Sequence, residues 1–241
     1  MRKLLISIIL VLLFSPQVFA QNFEGTLAYK VSQEVLPSLL KYGITKEQLV
    51  QKMKEDGSFF DTNYIAYHNG FFRNIKNDSK RTTNIYRSDS NKIYTFQDSS
   101  DLCRVLDASY DLEASMTHKD PEITILDTTV VIYNKNCKVV HVKWNTGYFN
   151  YYYSEGFLPM NPEEYKTDTY NVWYKYLKIA KCLPIQITSV VNNTLIITYT
   201  LVSVKSEPIS PTAFNIPHLV LPADKLPAAP NEVIMKIDTK K

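Results

Sequence analysis

Glycine is scarce in this chain. Only six occur in 241 residues, at positions 25, 43, 57, 70, 147 and 156, and no two lie within eight residues of each other. A phosphate-cradling loop needs closely spaced glycines so that backbone N–H groups can approach the ligand, so dinucleotide fingerprints and P-loops are excluded. Cysteine is rarer still. Cys103, Cys137 and Cys182 are too far apart for a CxxC pair, which removes zinc-ribbon, haem-attachment and dithiol chemistry. The four histidines, His68, His118, His141 and His218, form neither HxH nor HExxH. The sequence therefore predicts no metal and no cofactor. Charge bias is also lacking: 27 Lys and Arg face 24 Asp and Glu, scattered singly and answered locally, as Lys119 is by Asp120 and Lys205 by Glu207. Such a surface has no electrostatic reason to seek nucleic acid. Catalytic signatures are missing as well, with no GxSxG, SxxK or local Cys–His nucleophile pattern. Asp107, Asp111, Glu113 and Asp120 fall in a polar stretch where solvated charge is the default. The expectation is a protein that is not an enzyme.

One long apolar run is present, at the N terminus. Arg2 and Lys3 precede residues 4–14, apolar apart from Ser7, and Pro16 is followed by Val18, Phe19 and Ala20. The run is shorter than the ~20 residues a bilayer demands. It reads as a signal peptide over residues 1–20, cut after Ala20, with no transmembrane span left and a periplasmic or secreted destination. Without Arg2 and Lys3 the chain has 25 basic and 24 acidic residues, a net charge of +1. An oxidising compartment favours one disulfide among the three cysteines, and the sequence leaves the pairing open.

Beyond the signal segment the chain reads as mainly β, of α+β class. Residues 23–32 alternate apolar and polar, as in a half-buried strand. Residues 35–56 switch to helical spacing, with Thr45 and Gln48 as a capping box and Gly57 as the stop, giving one or two short helices whose apolar stripe should lie on a sheet. Twelve strands are expected between 59 and 204: 59–67, 71–76, 82–88, 92–97, 102–107, 122–126, 128–133, 137–144, 147–153, 173–177, 183–191 and 194–204. Turns such as His68-Asn69-Gly70 and Asn192-Asn193 separate them, so the sheet is antiparallel. Residues 107–121 and 154–172 read as long connections. Residues 21–217 form a single β-rich domain, and 218–241, with Pro222, Pro227 and Pro230, a tail lying loosely over it.

Tyrosine is abundant and unevenly placed. Eight of the 17 lie between positions 148 and 176, with Trp173 among them and Trp144 just before. In a strand over 148–153, Tyr148, Asn150 and Tyr152 face one way and Phe149, Tyr151 and Tyr153 the other. Such a cluster is either a sheet packed on both sides or an apolar surface whose hydroxyls orient an acyl chain, peptide or glycan. Under the second reading the candidate ligand-binding residues are Trp144, Tyr148, Tyr152, Trp173, Tyr174 and Tyr176.

A signal segment, the FEGTLAY strand, helices and then a strand meander resemble a group of exported proteins. Cys137 in its strand, the aromatic strand Tyr151 to Tyr153, the LPxxI strand from Leu183 to Ile187 and the closing FxIP from Phe214 to Pro217 resemble the GLPGLI family, or a sister family of unknown function. KCLPIQI stands where that family carries its name-giving string. The same order resembles LolA-type and LolB-type lipoprotein carriers, which implies a curved antiparallel sheet or half-barrel with the short helices packed on it and acyl chains held in the concavity. Only the architecture carries over from that resemblance; together with the aromatic cluster it leads to the expectation of non-catalytic binding of a lipid or other hydrophobic small molecule in the envelope, the rival being an interaction module for another envelope protein.

Overall fold

A computed structural model of the chain describes residues 22–220 and 231–238. The expected signal segment and its cleavage site lie outside them. The described residues form one antiparallel sheet of 13 strands that does not close on itself. The strands are β1 (Gly25–Val35), β2 (Thr62–His68), β3 (Phe71–Lys76), β4 (Thr83–Arg87), β5 (Lys92–Phe96), β6 (Leu102–Asp107), β7 (Glu122–Ile132), β8 (Lys135–Lys143), β9 (Tyr148–Tyr153), β10 (Gln186–Val191), β11 (Leu195–Ser206), β12 (Leu219–Val220) and β13 (Glu232–Ile237). Their spatial order is β12-β13-β6-β5-β4-β3-β2-β1-β11-β10-β9-β8-β7. The first and last long strands of the meander, β1 and β11, thus pair at the centre.

Alternation makes the core. On β1 every second residue, Leu27, Tyr29, Val31, Gln33 and Val35, is buried, while Lys30, Ser32 and Glu34 face solvent. Register carries this face across the sheet, since Leu27 opposes Ile65 and Val204, and Tyr29 opposes Leu201. It continues through Ile187 to Tyr151 and Val140. Tight turns use residues that tolerate positive φ, including Asn69 (φ 44°) and the Asn192-Asn193 pair (50° and 52°).

Among the described residues four α-helices accompany the sheet: α1 (Pro37–Leu40), α2 (Lys46–Glu55), α3 (Leu112–Thr117) and α4 (Trp173–Ala180). The Thr45–Gln48 capping box forms as expected, and Gly57 ends the helical arm at φ +74°. The arm's stripe is less covered than expected. Leu49, Val50 and Met53 are half-buried and no residue of α1 or α2 is fully buried.

Several expectations are corrected. Residues 173–177, read as a strand, begin α4, because Trp173, Tyr176, Leu177 and Ala180 repeat at helical spacing and place Tyr176 and Leu177 at 0% exposure against the sheet. Residues 122–126 and 128–133 are one strand, β7, with an irregularity in register between Leu126 and Val130. Within the expected tail, residues 232–237 form β13 and pair with β6, Met235 opposite Cys103, because Val233, Met235 and Ile237 alternate after the prolines end. No disulfide forms among the cysteines, since Cys103, Cys137 and Cys182 are all buried free thiols. Cys103, on β6, belongs to the half of the sheet away from Cys137 on β8. Cys182 donates to the Ala180 carbonyl (3.1 Å) and Cys137 to that of Lys135 (3.5 Å). Burial pushes the Cys103 thiol up to about 11 and Cys182 to about 12, so neither is a ready nucleophile.

Candidate functional site

The aromatic stretch divides once folded. On the core face of β9, Tyr151 and Tyr153 are buried and meet α4: Tyr151 stacks on Tyr176 at 4.5 Å between ring centroids and touches Trp173 at 6.2 Å, while Tyr153 meets Tyr176 edge-on. Rings continue across the sheet from Trp173 through Tyr165, Tyr86 and Phe72 to Tyr67. Several hydroxyls are satisfied internally, although that of Tyr165 and the Trp173 indole Nε1 are buried without a partner. Tyr176 donates to the Cys182 carbonyl (3.0 Å), Tyr29 to that of Pro184 (2.7 Å) and Tyr151 to that of Asn171 (3.0 Å). The middle of the core face is therefore packed.

A cleft of about 370 Å³ remains where this packing stops, at one end of the sheet. One wall is the β8–β9 turn, with Trp144, Gly147, Tyr148 and Phe149. The β10–β11 hairpin supplies Ser189 and Val190 opposite. These two hairpins lie close enough that a Cβ on Gly147 would stand 1.9 Å from the Val190 carbonyl oxygen, so only glycine fits there. Tyr170 and Asn171 close the third side, and Asp111 stands at the rim. Trp144 packs edge-on against Phe149 and is 9% exposed, yet its indole Nε1 is buried without a hydrogen-bond partner. An unpaired buried donor costs roughly 1–3 kcal/mol, so a ligand acceptor at this position would recover free energy.

The third side is held under strain. Asn171 and Val172 adopt φ of 51° and 62° immediately before α4. For a β-branched residue this conformation is a true outlier costing about 1–3 kcal/mol, and it persists only where the surroundings fix it. At the bend the Tyr151 hydroxyl bonds the Asn171 carbonyl (3.0 Å) and the Val172 N–H that of Thr169 (2.9 Å), and the flanking residues are tied by Asp168, 2% exposed. Its backbone N–H bonds the Tyr165 carbonyl (2.9 Å) and its carbonyl accepts from the Tyr174 N–H (3.0 Å), while its carboxyl oxygen accepts the Tyr170 N–H (3.2 Å). The Ala108 carbonyl accepts from both Thr169 and Tyr170. Desolvation pushes the Asp168 carboxyl from its ordinary 3.8 to about 8, against the opposing pull of the Tyr170 N–H. A carboxyl neutral at pH 7 can sit among tyrosines where an ionised one could not.

Of the six residues singled out from sequence, Trp144 and Tyr148 line this cleft. Trp173 and Tyr176 belong to the packed core, because their segment is helical. Tyr152 lies on the opposite sheet face from Tyr151. Tyr174 points away, with its hydroxyl 3.4 Å from Glu163 and the Lys178 ammonium 5.5 Å from its ring centre. Sequence reasoning missed Phe149, Tyr170, Asn171, Ser189 and Asp168. The one signal available for Asp168 was a carboxylate set within an aromatic-rich stretch. A wider hollow of about 920 Å³ lies between β13 and residues 216–219, at the far end of the sheet from the Trp144 cleft. Among the described residues no group of three or more His, Cys, Asp or Glu is placed to hold a metal ion, and no helix is long and apolar enough to cross a membrane.

No family model matches the chain, and no curated protein matches it. Solved structures of PNGF-II, in C2 and P21 crystal forms, are similar at TM-scores of 0.31 and 0.29, with 11% and 10% identity over 79% and 80% of this chain. The chain spans 30% of the length of those structures. Similarity of that order carries no argument about function.

Proposed function

We propose that this is a non-catalytic binding protein of the cell envelope, reached through the N-terminal signal, that holds a small apolar or amphipathic molecule in the Trp144 cleft. The observation that carries the reading is the buried, unpartnered indole Nε1 of Trp144 in an aromatic-walled cleft. Binding pockets commonly combine apolar walls with a few polar groups that fix orientation, and about 370 Å³ lies at the lower end of their usual ~300–1,000 Å³. Trp144, Tyr148, Phe149 and Tyr170 would take the apolar part of the ligand. The indole N–H would donate to a carbonyl or carboxylate oxygen, and Ser189 and Asn171 offer further polar contacts. Because α4 fills the middle of the core face, the ligand occupies its end rather than a full concavity. The architectural resemblance to lipoprotein carriers, whose fold holds acyl chains, is in keeping with a chain-bearing ligand.

Titration with a medium-chain fatty acid, followed by tryptophan emission, tests this. The wild type should show a saturable change that Trp144→Phe loses and Trp173→Phe keeps. No change in the wild type, or a change that survives Trp144→Phe, refutes the assignment.

A second reading, an interaction module, is favoured by the outer edge of the sheet. Among the described residues β7 has no neighbouring strand on one side, and it exposes Ile125 (56%) and Val131 (68%), an arrangement suited to strand addition. Crosslinking in intact cells through position 131 that recovers no partner counts against it.

A further inference from the structure

The Trp144 cleft is aromatic and carries charge of one sign. Trp144, Phe149 and Tyr170 bring rings to it, and Asn171 and Ser189 bring neutral polar groups. Among the described residues that line it, Asp111 is the single charged one, and no Lys, Arg or His is present. Asp111 is the N-cap of α3, where its Oδ1 accepts the Ala114 N–H (2.9 Å), which fixes the direction of the carboxylate. A carboxylate offers about four lone-pair positions on its two oxygens, and one bond to a backbone N–H leaves most of them open. Among the described residues no ion pair answers its charge. That charge reaches the rings. Burial raises the Tyr170 phenol, and the Asp111 carboxylate is the next cause; the same carboxylate acts on Tyr151, after burial and Asp168.

Such a lining treats each kind of polar head differently. A carboxylate or phosphate at the rim meets Asp111 with like charge and is repelled. An uncharged head leaves the Asp111 carboxylate to water alone. A hard metal ion demands a cage of oxygen ligands, and among the described residues no group of three or more His, Cys, Asp or Glu is placed to hold one. A primary ammonium brings three N–H donors that all need acceptors. A quaternary ammonium brings none. It carries its charge on methyl groups, which ring faces and a neighbouring carboxylate can hold together, as aromatic cages hold choline-type groups. The buried indole Nε1 of Trp144 still asks for an acceptor, so the ligand also needs an oxygen, without the negative charge that Asp111 would repel.

Given that the cleft holds a small amphipathic molecule, as argued above, we propose that this molecule is an acyl ester with a quaternary ammonium head. Asp111 and the Tyr170 ring hold the ammonium at the rim, the ester carbonyl accepts from the Trp144 indole N–H, and the chain lies against Phe149.

Isothermal titration calorimetry of the purified protein with three ligands of one chain length tests the head group: octanoylcholine, octanoate, and the tert-butyl analogue of octanoylcholine, in which carbon replaces the ammonium nitrogen. Octanoylcholine should bind about tenfold more tightly than either of the others, and its lead over octanoate should narrow as ionic strength rises. Asp111→Asn keeps the helix cap, because Asn serves that position as well as Asp does. The variant should bring octanoylcholine close to its uncharged analogue and should tighten octanoate. Octanoate or the analogue binding as tightly as octanoylcholine in the wild type overturns the proposal, and so does a preference that survives Asp111→Asn. Trp144→Phe separates this from the reading beneath it. Octanoate that binds the wild type, is lost in Trp144→Phe and is not bettered by octanoylcholine leaves the cleft as a binding site and removes the ammonium head. If none of the three ligands binds, the cleft itself is refuted, and the head group with it.

Discussion

Replacing Asp168 by Asn removes an ionisable proton from the centre of the aromatic core while keeping the shape of the neutral acid. In the folded chain the carboxyl holds its proton up to about pH 8, whereas in the unfolded chain it releases it near 3.8. Between those values the folded state binds more protons than the unfolded state, so unfolding free energy falls as pH rises, by up to about 1.4 kcal/mol per pH unit. The stability contributed is fully present below about pH 4 and is lost as pH climbs towards 8. Above that the native carboxyl ionises too and the loss levels off. Over the whole window the loss is on the order of 5 kcal/mol, a large share of the ~5–15 kcal/mol stability of a domain. Asp168→Asn cannot ionise at this position, so its urea midpoint should lack the decline that Asp168 gives the wild type. The difference in unfolding free energy should be small at about pH 4 and grow by several kcal/mol by about pH 8, in favour of Asn. Other groups titrate in both proteins and cancel in the difference. Parallel pH profiles for the two, or an Asn variant less stable throughout, would refute the idea that Asp168 is buried as a neutral acid and braces the Asn171–Val172 bend in that form.

Four further outcomes are expected. Gly147→Ala pushes a Cβ to 1.9 Å from the Val190 oxygen, so chemical denaturation should show a loss of roughly 1–3 kcal/mol, and the Trp144 response to fatty acid should vanish. Tyr176→Phe leaves the buried Cys182 carbonyl without its donor and should cost about 1 kcal/mol by the same measurement. Thr45→Ala removes the cap of α2 and should melt that helix, worth about 1 kcal/mol, as amide exchange over residues 46–55 would report, with little effect on the global midpoint. Deleting residues 221–241 strips β13 from β6. Cys103, 0% exposed in the full chain, should then react with a thiol reagent far faster than Cys182.

Much of the fold was legible because its turns are punctuated chemically. Asn69-Gly70, Asn91 and Asn192-Asn193 adopt the positive φ that their residue types suggest, and the strands between them alternate plainly. The Thr45–Gln48 box was equally readable, since both its bonds are local. α4 misled because tryptophan and tyrosine favour strands, and eight residues are few from which to recognise a helical period against that propensity. β13 was hidden by the prolines before it. The cleft is of another kind: Trp144, Tyr170 and Ser189 come from separate elements and meet only through sheet register. Nothing near Asp168 in the chain shows that Tyr67, Tyr86 and Tyr151 will surround it, although each of these phenols is raised by burial with the Asp168 charge as a further cause. The split of the tyrosines into a packed core and a cleft wall likewise depends on α4 being a helix.

Whether the Trp144 cleft holds an apolar or amphipathic ligand is tested most directly by native mass spectrometry of the protein taken from its own envelope, with Trp144→Ala prepared in parallel. The expected result is a wild-type species heavier than the chain by one small lipid-like molecule, released on activation and absent from the variant. A wild-type protein of bare chain mass, or an adduct equally present in Trp144→Ala, would contradict it.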